Sequence, residues 1–230
     1  MTLTLPDGRE LPAGTVYCIG RNYAAHVAEM GDVPAPAPDQ APGDPVVFIK
    51  PASALVASGG AVVLPRQSES VHHELELVAV IGAEGKDVPE DRALSHVAAY
   101  ALGLDLTARD VQAAAKKAGT PWAIAKGFDT FAPLGGLADA AVVGDPQTLE
   151  IRLEVNGETR QHSTTDRMLR SVARCVAFLT TVFRLRPGDL VYTGTPEGVG
   201  PLAAGDRLLA TGTCADGAPL PELVVTVEAG

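Results

Sequence analysis

His72-His73-Glu74-Leu75-Glu76-Leu77-Val78-Ala79-Val80-Ile81 (HHELELVAVI) is the stretch whose reading decides the fold. Over residues 73–81 it begins with charged and apolar residues in alternation and ends as an unbroken apolar run. Alternation marks a strand with two unlike faces, and a continuous apolar run marks one covered on both. The segment therefore reads as a strand entering a core, with Glu74 and Glu76 on one face and Leu75 and Leu77 on the other. Two like charges side by side in an apolar strand are costly unless something neutralises them. A divalent cation would do so; a solvated strand face carrying two surface glutamates fits the pair equally well. His72 and His73 read as buried or supporting histidines, because their spacing lacks the usual zinc patterns.

Working outward, residues 97–106 form a second apolar strand in which Asp105 is the only charge. An acidic residue at the mouth of a buried strand is a candidate third ligand. Its other reading is a cap for the helix expected over 107–118, a task that Thr107 and Asp110 already fill as a capping pair. Three carboxylates with waters make an oxygen-rich site suited to Mg²⁺ or Mn²⁺, and Ca²⁺ also fits.

Residues 15–20 (TVYCIG) read as a buried strand and 21–30 (RNYAAHVAEM) as a helix stopped by Gly31. Pro34, Pro36, Pro38, Pro42 and Pro45 exclude a helix or central strand from 32–45, which reads as a lid loop. Residues 46–49 and 61–64 are strands. Asn156-Gly157, between strands 149–155 and 158–162, is the strongest hairpin signal in the chain. Apolar residues at helical spacing predict a helix over 165–183, and strands follow at 190–193, 207–210 and 223–227. Strands outnumber helices in this reading, without a regular β-α-β-α order. That argues against a doubly wound parallel sheet and for a β-rich α+β fold. Residues 1–14 read as a short N-terminal segment and 15–230 as a single catalytic domain.

The 230 residues carry a formal net charge of −10 with a pI near 4.9, which disfavours nucleic acid and anionic membranes as partners. No apolar run approaches the length needed to span a bilayer, and no signal peptide is evident. Cys18, Cys175 and Cys214 form neither a zinc pattern nor a disulfide framework, so a cytoplasmic protein is expected.

His26 and Glu29 lie three apart on one predicted helix and so share a face. A carboxylate beside an imidazole fixes its tautomer and raises its basicity, which makes a water-activating pair. From spacing alone a surface His–Glu contact is the commoner outcome. Arg21, Lys50, Arg109 and Lys126 are cations that can meet an acidic substrate, and Gln112 stands one helical turn after Arg109. The segment 193–200 lacks the Lys-Ser/Thr ending of a phosphate loop, which excludes a nucleotide reading. It leaves a tight loop offering backbone N–H groups and Thr195 to a carboxylate.

Together, and in this order, the motifs resemble the fumarylacetoacetate hydrolase family. They are Gly20-Arg-Asn-Tyr-Ala-Ala-His26-Val-Ala-Glu29-Met-Gly31, Phe48-Ile-Lys-Pro51, His72-His-Glu-Leu-Glu-Leu77, Leu104-Asp-Leu-Thr-Ala-Arg-Asp110, Ala125-Lys-Gly-Phe128 and Thr193-Gly-Thr-Pro196. The resemblance implies a roll of mixed β-sheets, a homodimer, and Mg²⁺ or Mn²⁺ held by Glu74, Glu76 and Asp105. It implies that His26 with Glu29 activates water and that Lys126 stabilises charge. Arg21, Tyr23, Lys50, Arg109, Gln112 and Thr195 are the residues it suggests for binding a 2-oxo acid. The expected reaction is hydrolytic C–C cleavage of an acylpyruvate-type 2,4-dioxo acid, with the metal stabilising the pyruvate enolate. Oxaloacetate decarboxylation and isomerisation of hydroxymuconate-type diacids are alternatives at the same metal, and a metabolite-binding protein is the alternative without catalysis.

Overall fold

The computed structural model describes residues 1–31 and 43–230. The lid expected at 32–45 lies, except for its last three residues, outside the described residues. Two mixed sheets dominate. The larger runs in the order Val46–Lys50, Val16–Gly20, Leu190–Tyr192, Leu75–Ile81, Val97–Leu104, Ala132–Leu134 and Leu55–Ala57, with Ala138–Asp139 also paired to Val97–Leu104. The second runs Glu158–Thr164, Glu150–Val155, Arg207–Thr213, Leu223–Ala229 and Ala61–Leu64. The fold is thus the β-rich α+β arrangement of mixed sheets.

The unbroken apolar run explains why Leu75–Ile81 lies at the centre. Every residue in it is buried. Leu75, Leu77, Ala79 and Ile81 pack toward the five-stranded sheet and the helix Val172–Val182. Val78 and Val80 face the opposite way, against Cys18, Ala99, Ala101 and Tyr192. The N-terminal hairpin Thr2–Thr4 with Glu10–Pro12 closes this second face through Leu3 and Leu5. Burying apolar side chains on both faces removes this strand from solvent altogether, at roughly 1.5–3 kcal/mol of stabilisation per large side chain.

Several boundaries differ from the sequence expectation. The strand read over 73–81 is broken at Glu74. Val71–His73 belongs to a small three-stranded sheet with Thr107–Ala108 and Gly200–Pro201, and Leu75–Ile81 to the eight-stranded one. The helix read over 107–118 begins at Arg109, because Thr107–Ala108 is recruited as a strand opposite Val71 and His72. Its expected capping pair does not form. Ala108 is the N-cap; Thr107 donates to the Asp105 carbonyl, and Asp110 accepts from Ser68 and Glu69. The helix read over 165–183 starts only at Val172, where Ser171 caps the Arg174 amide. The first helix is Ala24–Met30, ended by Gly31 at φ 66° as its position after the last apolar residue predicts. Asn156 and Gly157 both take positive φ, 55° and 80°, as a tight two-residue hairpin demands. Among the described residues no helix is long and apolar enough to cross a membrane.

Candidate functional site

The antiparallel pairing of Leu75–Ile81 with Val97–Leu104 sets Leu75 opposite Leu104 and Glu76 opposite Gly103. The ladder runs one step further, where the Asp105 amide donates to the Glu74 carbonyl at 2.8 Å. Glu74 and Asp105, 31 positions apart in sequence, thereby become cross-strand neighbours. Carboxylate oxygens of Glu74, Glu76 and Asp105 all fall within 4.8 Å of one another, and the three residues are at most 4% exposed. Oxygen ligands on opposite sides of one hard cation stand about 4–5 Å apart, so this spacing suits a single ion.

Cations surround two of the three carboxylates. Lys126 Nζ bridges Glu74 Oε2 at 2.8 Å and Asp105 Oδ2 at 2.7 Å. Arg109 Nη2 donates to Glu74 Oε1 through a short contact, and Lys50 Nζ lies 2.7 Å from Asp105 Oδ1. Burial by itself would raise the Glu74 carboxyl, but Lys126 and Arg109 hold it well below the usual carboxylate range. Lys126 is pushed down by burial and up more strongly by Asp105 and Glu74, so its ammonium is reinforced. Glu76 differs. Burial and then the charges of Asp105 and Glu74 push it well above the usual range. Among the described residues its hydrogen bond is from the Gly194 amide at 2.7 Å, and no lysine or arginine among them forms an ion pair with it. A buried, all-oxygen cluster in which one carboxylate forms no ion pair among the described residues fits Mg²⁺, Mn²⁺ or Ca²⁺.

A cleft opens above this floor, with about 50 Å³ of room for solvent at its bottom. One wall is the helix Ala24–Met30, which presents His26, Val27 and Met30. His26 is 7% exposed, and its Nδ1 faces Glu29 Oε2 across a long 3.4 Å contact. A carboxylate on that side favours the proton on Nδ1 and leaves Nε2 as the basic nitrogen. The Gly198 amide donates to both Glu29 oxygens, at 3.1 and 3.3 Å, tying the helix to the loop after Leu190–Tyr192. The other wall is the helix Arg109–Ala118, whose Arg109, Gln112 and Lys116 recur at helical spacing toward the cleft. Arg109 donates to Gln112 Oε1 at 3.1 Å. Arg21, at φ 59°, and Thr195 complete the lining.

Two expected substrate contacts are placed elsewhere. Lys50 is fully enclosed, and its ammonium gives its protons to the carbonyls of Leu106, Lys126 and Phe131 at 2.7–2.9 Å. It braces the turn that carries Asp105 and does not line the cleft. Tyr23 packs its ring into the core at 1% exposure with its hydroxyl unpartnered among the described residues, and burial raises that hydroxyl above its ordinary range. Its spacing with Val27 was a core signal.

The sequence reading also passed over residues that the structure brings in. Lys116 Nζ stands 5.7 Å over the Trp122 ring, and Trp122 meets Phe48 edge-on at 6.0 Å. Lys116 lies seven residues after Arg109, so helical periodicity alone was signal enough to find it. Asn22, fully buried, donates to the carbonyls of Thr193 and Arg170 and accepts from the Arg170 amide, joining three segments behind the cleft. Nothing local in the sequence marks that role.

A family model described as the fumarylacetoacetate (FAA) hydrolase C-terminal domain matches residues 15–227. The mitochondrial oxaloacetate tautomerase FAHD1 of Arabidopsis thaliana is 44% identical over 195 residues, 85% of this chain and 84% of that protein. Oxaloacetate tautomerase YcgM of Escherichia coli is 44% identical over 203 residues, 88% of this chain and 90% of that protein. The crystal structure of fumarylpyruvate hydrolase from Pseudomonas aeruginosa, in complex with Mn²⁺ and pyruvate, superposes with a TM-score of 0.88 at 45% identity. It covers all of this chain and 96% of that one. With the motifs, the mixed-sheet fold and the acidic trio in agreement, the chain belongs to the fumarylacetoacetate hydrolase family of enzymes.

Proposed function

We propose that the protein catalyses proton transfer at the carbon next to the keto group of a small 2-oxo acid, with keto–enol tautomerisation of oxaloacetate as its reaction. The observation that carries this reading is the His26–Glu29 pair facing three buried carboxylates across one short cleft. Glu74, Glu76 and Asp105 would hold a divalent ion. When bound, that ion supplies Lewis acidity, polarising the keto group and offsetting enolate charge.

The remaining work falls to the chain itself. Arg109, Gln112 and Thr195 offer hydrogen-bond donors that orient the acid. His26 Nε2 takes the proton from carbon, Glu29 steadies the imidazolium through Nδ1–H, and the proton returns to oxygen or carbon from the same ring. Lys126 places positive charge beside the floor, where negative charge grows. The names of the Arabidopsis and Escherichia coli relatives support this reaction.

A second reading keeps the same residues and lets His26 deprotonate a water that attacks the far carbonyl of an acylpyruvate. The likeness to fumarylpyruvate hydrolase favours it. One experiment separates the two: the rate of keto–enol interconversion of oxaloacetate is followed by stopped-flow absorbance with Mn²⁺, beside a panel of acylpyruvates read by mass spectrometry. Acceleration of the interconversion well beyond Mn²⁺ alone is the expected result. No acceleration, with cleavage of an acylpyruvate, would replace tautomerisation by hydrolysis. Oxaloacetate that disappears as pyruvate and CO₂ would replace it by decarboxylation. Specific retention of ligands with no turnover of any panel member would leave a binding protein. The three cysteines are free and buried, which suits a reducing compartment such as the cytoplasm.

A further inference from the structure

Gln161 lies on Glu158–Thr164, a strand of the five-stranded sheet none of whose residues lines the cleft described above. Its side chain is 1% exposed and saturated with partners. Oε1 accepts from the Leu75 amide at 2.9 Å and from His73 Nδ1 at 3.0 Å. Nε2 donates to Thr195 Oγ1 at 2.8 Å and to the Pro196 carbonyl at 3.0 Å.

The two ends of this amide are not interchangeable. The Leu75 N–H can only donate and the Pro196 carbonyl can only accept, so exchanging O and N would set donor against donor and acceptor against acceptor. Thr195 Oγ1 must then accept a proton from Gln161, and the hydroxyl gives its own proton to some other atom. Among the described residues its acceptor is the Pro196 carbonyl at 3.4 Å, beyond the normal reach of an O–H···O bond. The remaining direction is the cleft, which Thr195 lines.

We propose that Gln161 is a positioning residue: it fills the acceptor side of the Thr195 hydroxyl and so aims that hydroxyl's proton at an oxygen of the bound 2-oxo acid. The same amide holds the chain at the break after Glu74, linking the acidic floor to the Thr195 loop through one side chain. This rests on the reading that the cleft binds a 2-oxo acid.

The test uses oxalate, a chelating mimic of the 2-oxo acid head, titrated by calorimetry into the Mn²⁺-loaded protein, with Mn²⁺ titrated alone as a control. Thr195→Val removes the hydroxyl. Gln161→Glu keeps the shape and the acceptor for Leu75 and His73 but replaces the donor, so the Thr195 proton turns to the new carboxylate. Each variant should weaken oxalate about tenfold, the worth of one hydrogen bond to a charged group, with Mn²⁺ affinity unchanged. Combining them should cost no more than the worse single change, because both remove the same bond. In turnover KM should rise and kcat hold.

Oxalate affinity at the wild-type level in Thr195→Val overturns the inference, whether or not Gln161→Glu folds. So does wild-type affinity in a folded Gln161→Glu, or losses that multiply in the double variant. Failure of the wild type itself to bind oxalate, with Mn²⁺ bound, rejects the 2-oxo acid reading instead.

Discussion

The floor of the cleft and the wall that carries the base are built in opposite ways. Glu76 sits inside a strand paired on both sides, and Glu74 and Asp105 extend the same ladder. Lys126, Arg109 and the Gly194 amide fix their oxygens by hydrogen bonds, and the Lys50 charge stands beside Asp105. His26 instead rides on a helix of seven residues, and its ring makes a long contact to Glu29 of the same helix, whose side chain is 36% exposed and accepts from the Gly198 amide of the neighbouring loop. A preorganised floor stabilises charge without having to reorganise as the reaction proceeds. An imidazole held by one long contact can take up and return a proton with small adjustments of its ring. The division assigns electrostatics to the sheet and proton movement to the helix.

The largest effect should come from the floor. Treatment with EDTA, or Asp105→Ala, should lower the rate of oxaloacetate interconversion by ~10³-fold or more. Added Mn²⁺ should restore the treated wild type and leave the variant inactive. A treated protein that keeps its rate would show that the acidic trio is not the functional half of the comparison.

The wall comes next. His26→Ala should lower kcat by ~10²–10⁴-fold, and Glu29→Gln, which leaves the base but loosens its tautomer, by about tenfold. Calorimetric Mn²⁺ affinity should stay at the wild-type level in both. If either change weakens Mn²⁺ as much as it slows turnover, floor and wall are one unit and the division fails.

What could be read without the structure follows the same line. The sheet side was legible because its information is local: alternation and then an apolar run place Glu74 and Glu76, and a lone aspartate closes an apolar strand. The break at Glu74 was not legible. It depends on Thr107–Ala108 and Gly200–Pro201 pairing with Val71–His73 and on Gln161 receiving the Leu75 amide, contacts between distant segments. Lys50 is hard to place from sequence because a lysine after an apolar strand looks equally like a ligand for substrate and a brace for carbonyls. Only the convergence of Leu106, Lys126 and Phe131 decides. The expected helix cap failed for a related reason: Thr107 had a better use in a strand, and Asp110 in holding a loop.

That loop supplies the smallest effect and bears on how the opposite wall is held. Asp110 lies in the first turn of the helix that presents Arg109 and Gln112, and its carboxylate accepts from Ser68 Oγ at 2.6 Å and the Glu69 amide at 2.8 Å. Slight burial would raise it, but these bonds to Ser68 and Glu69 outweigh that and lower its pKa. A carboxyl depressed on folding adds stability above its unfolded value, near 3.9, and loses it as pH falls through the lower folded value. The group is exposed, so solvent screening limits the gain to roughly 1 kcal/mol. Asp110→Ala should therefore lower unfolding free energy by about that amount at pH 7, measured by urea denaturation, and the gap to wild type should narrow as pH falls below the unfolded value. Turnover should change little, because the Arg109 amide still donates to the Ser70 carbonyl at 2.7 Å. A gap that persists in acid would mean the wall is held by the shape of Asp110 and not by its charge, and would bring this wall closer in kind to the rigid floor.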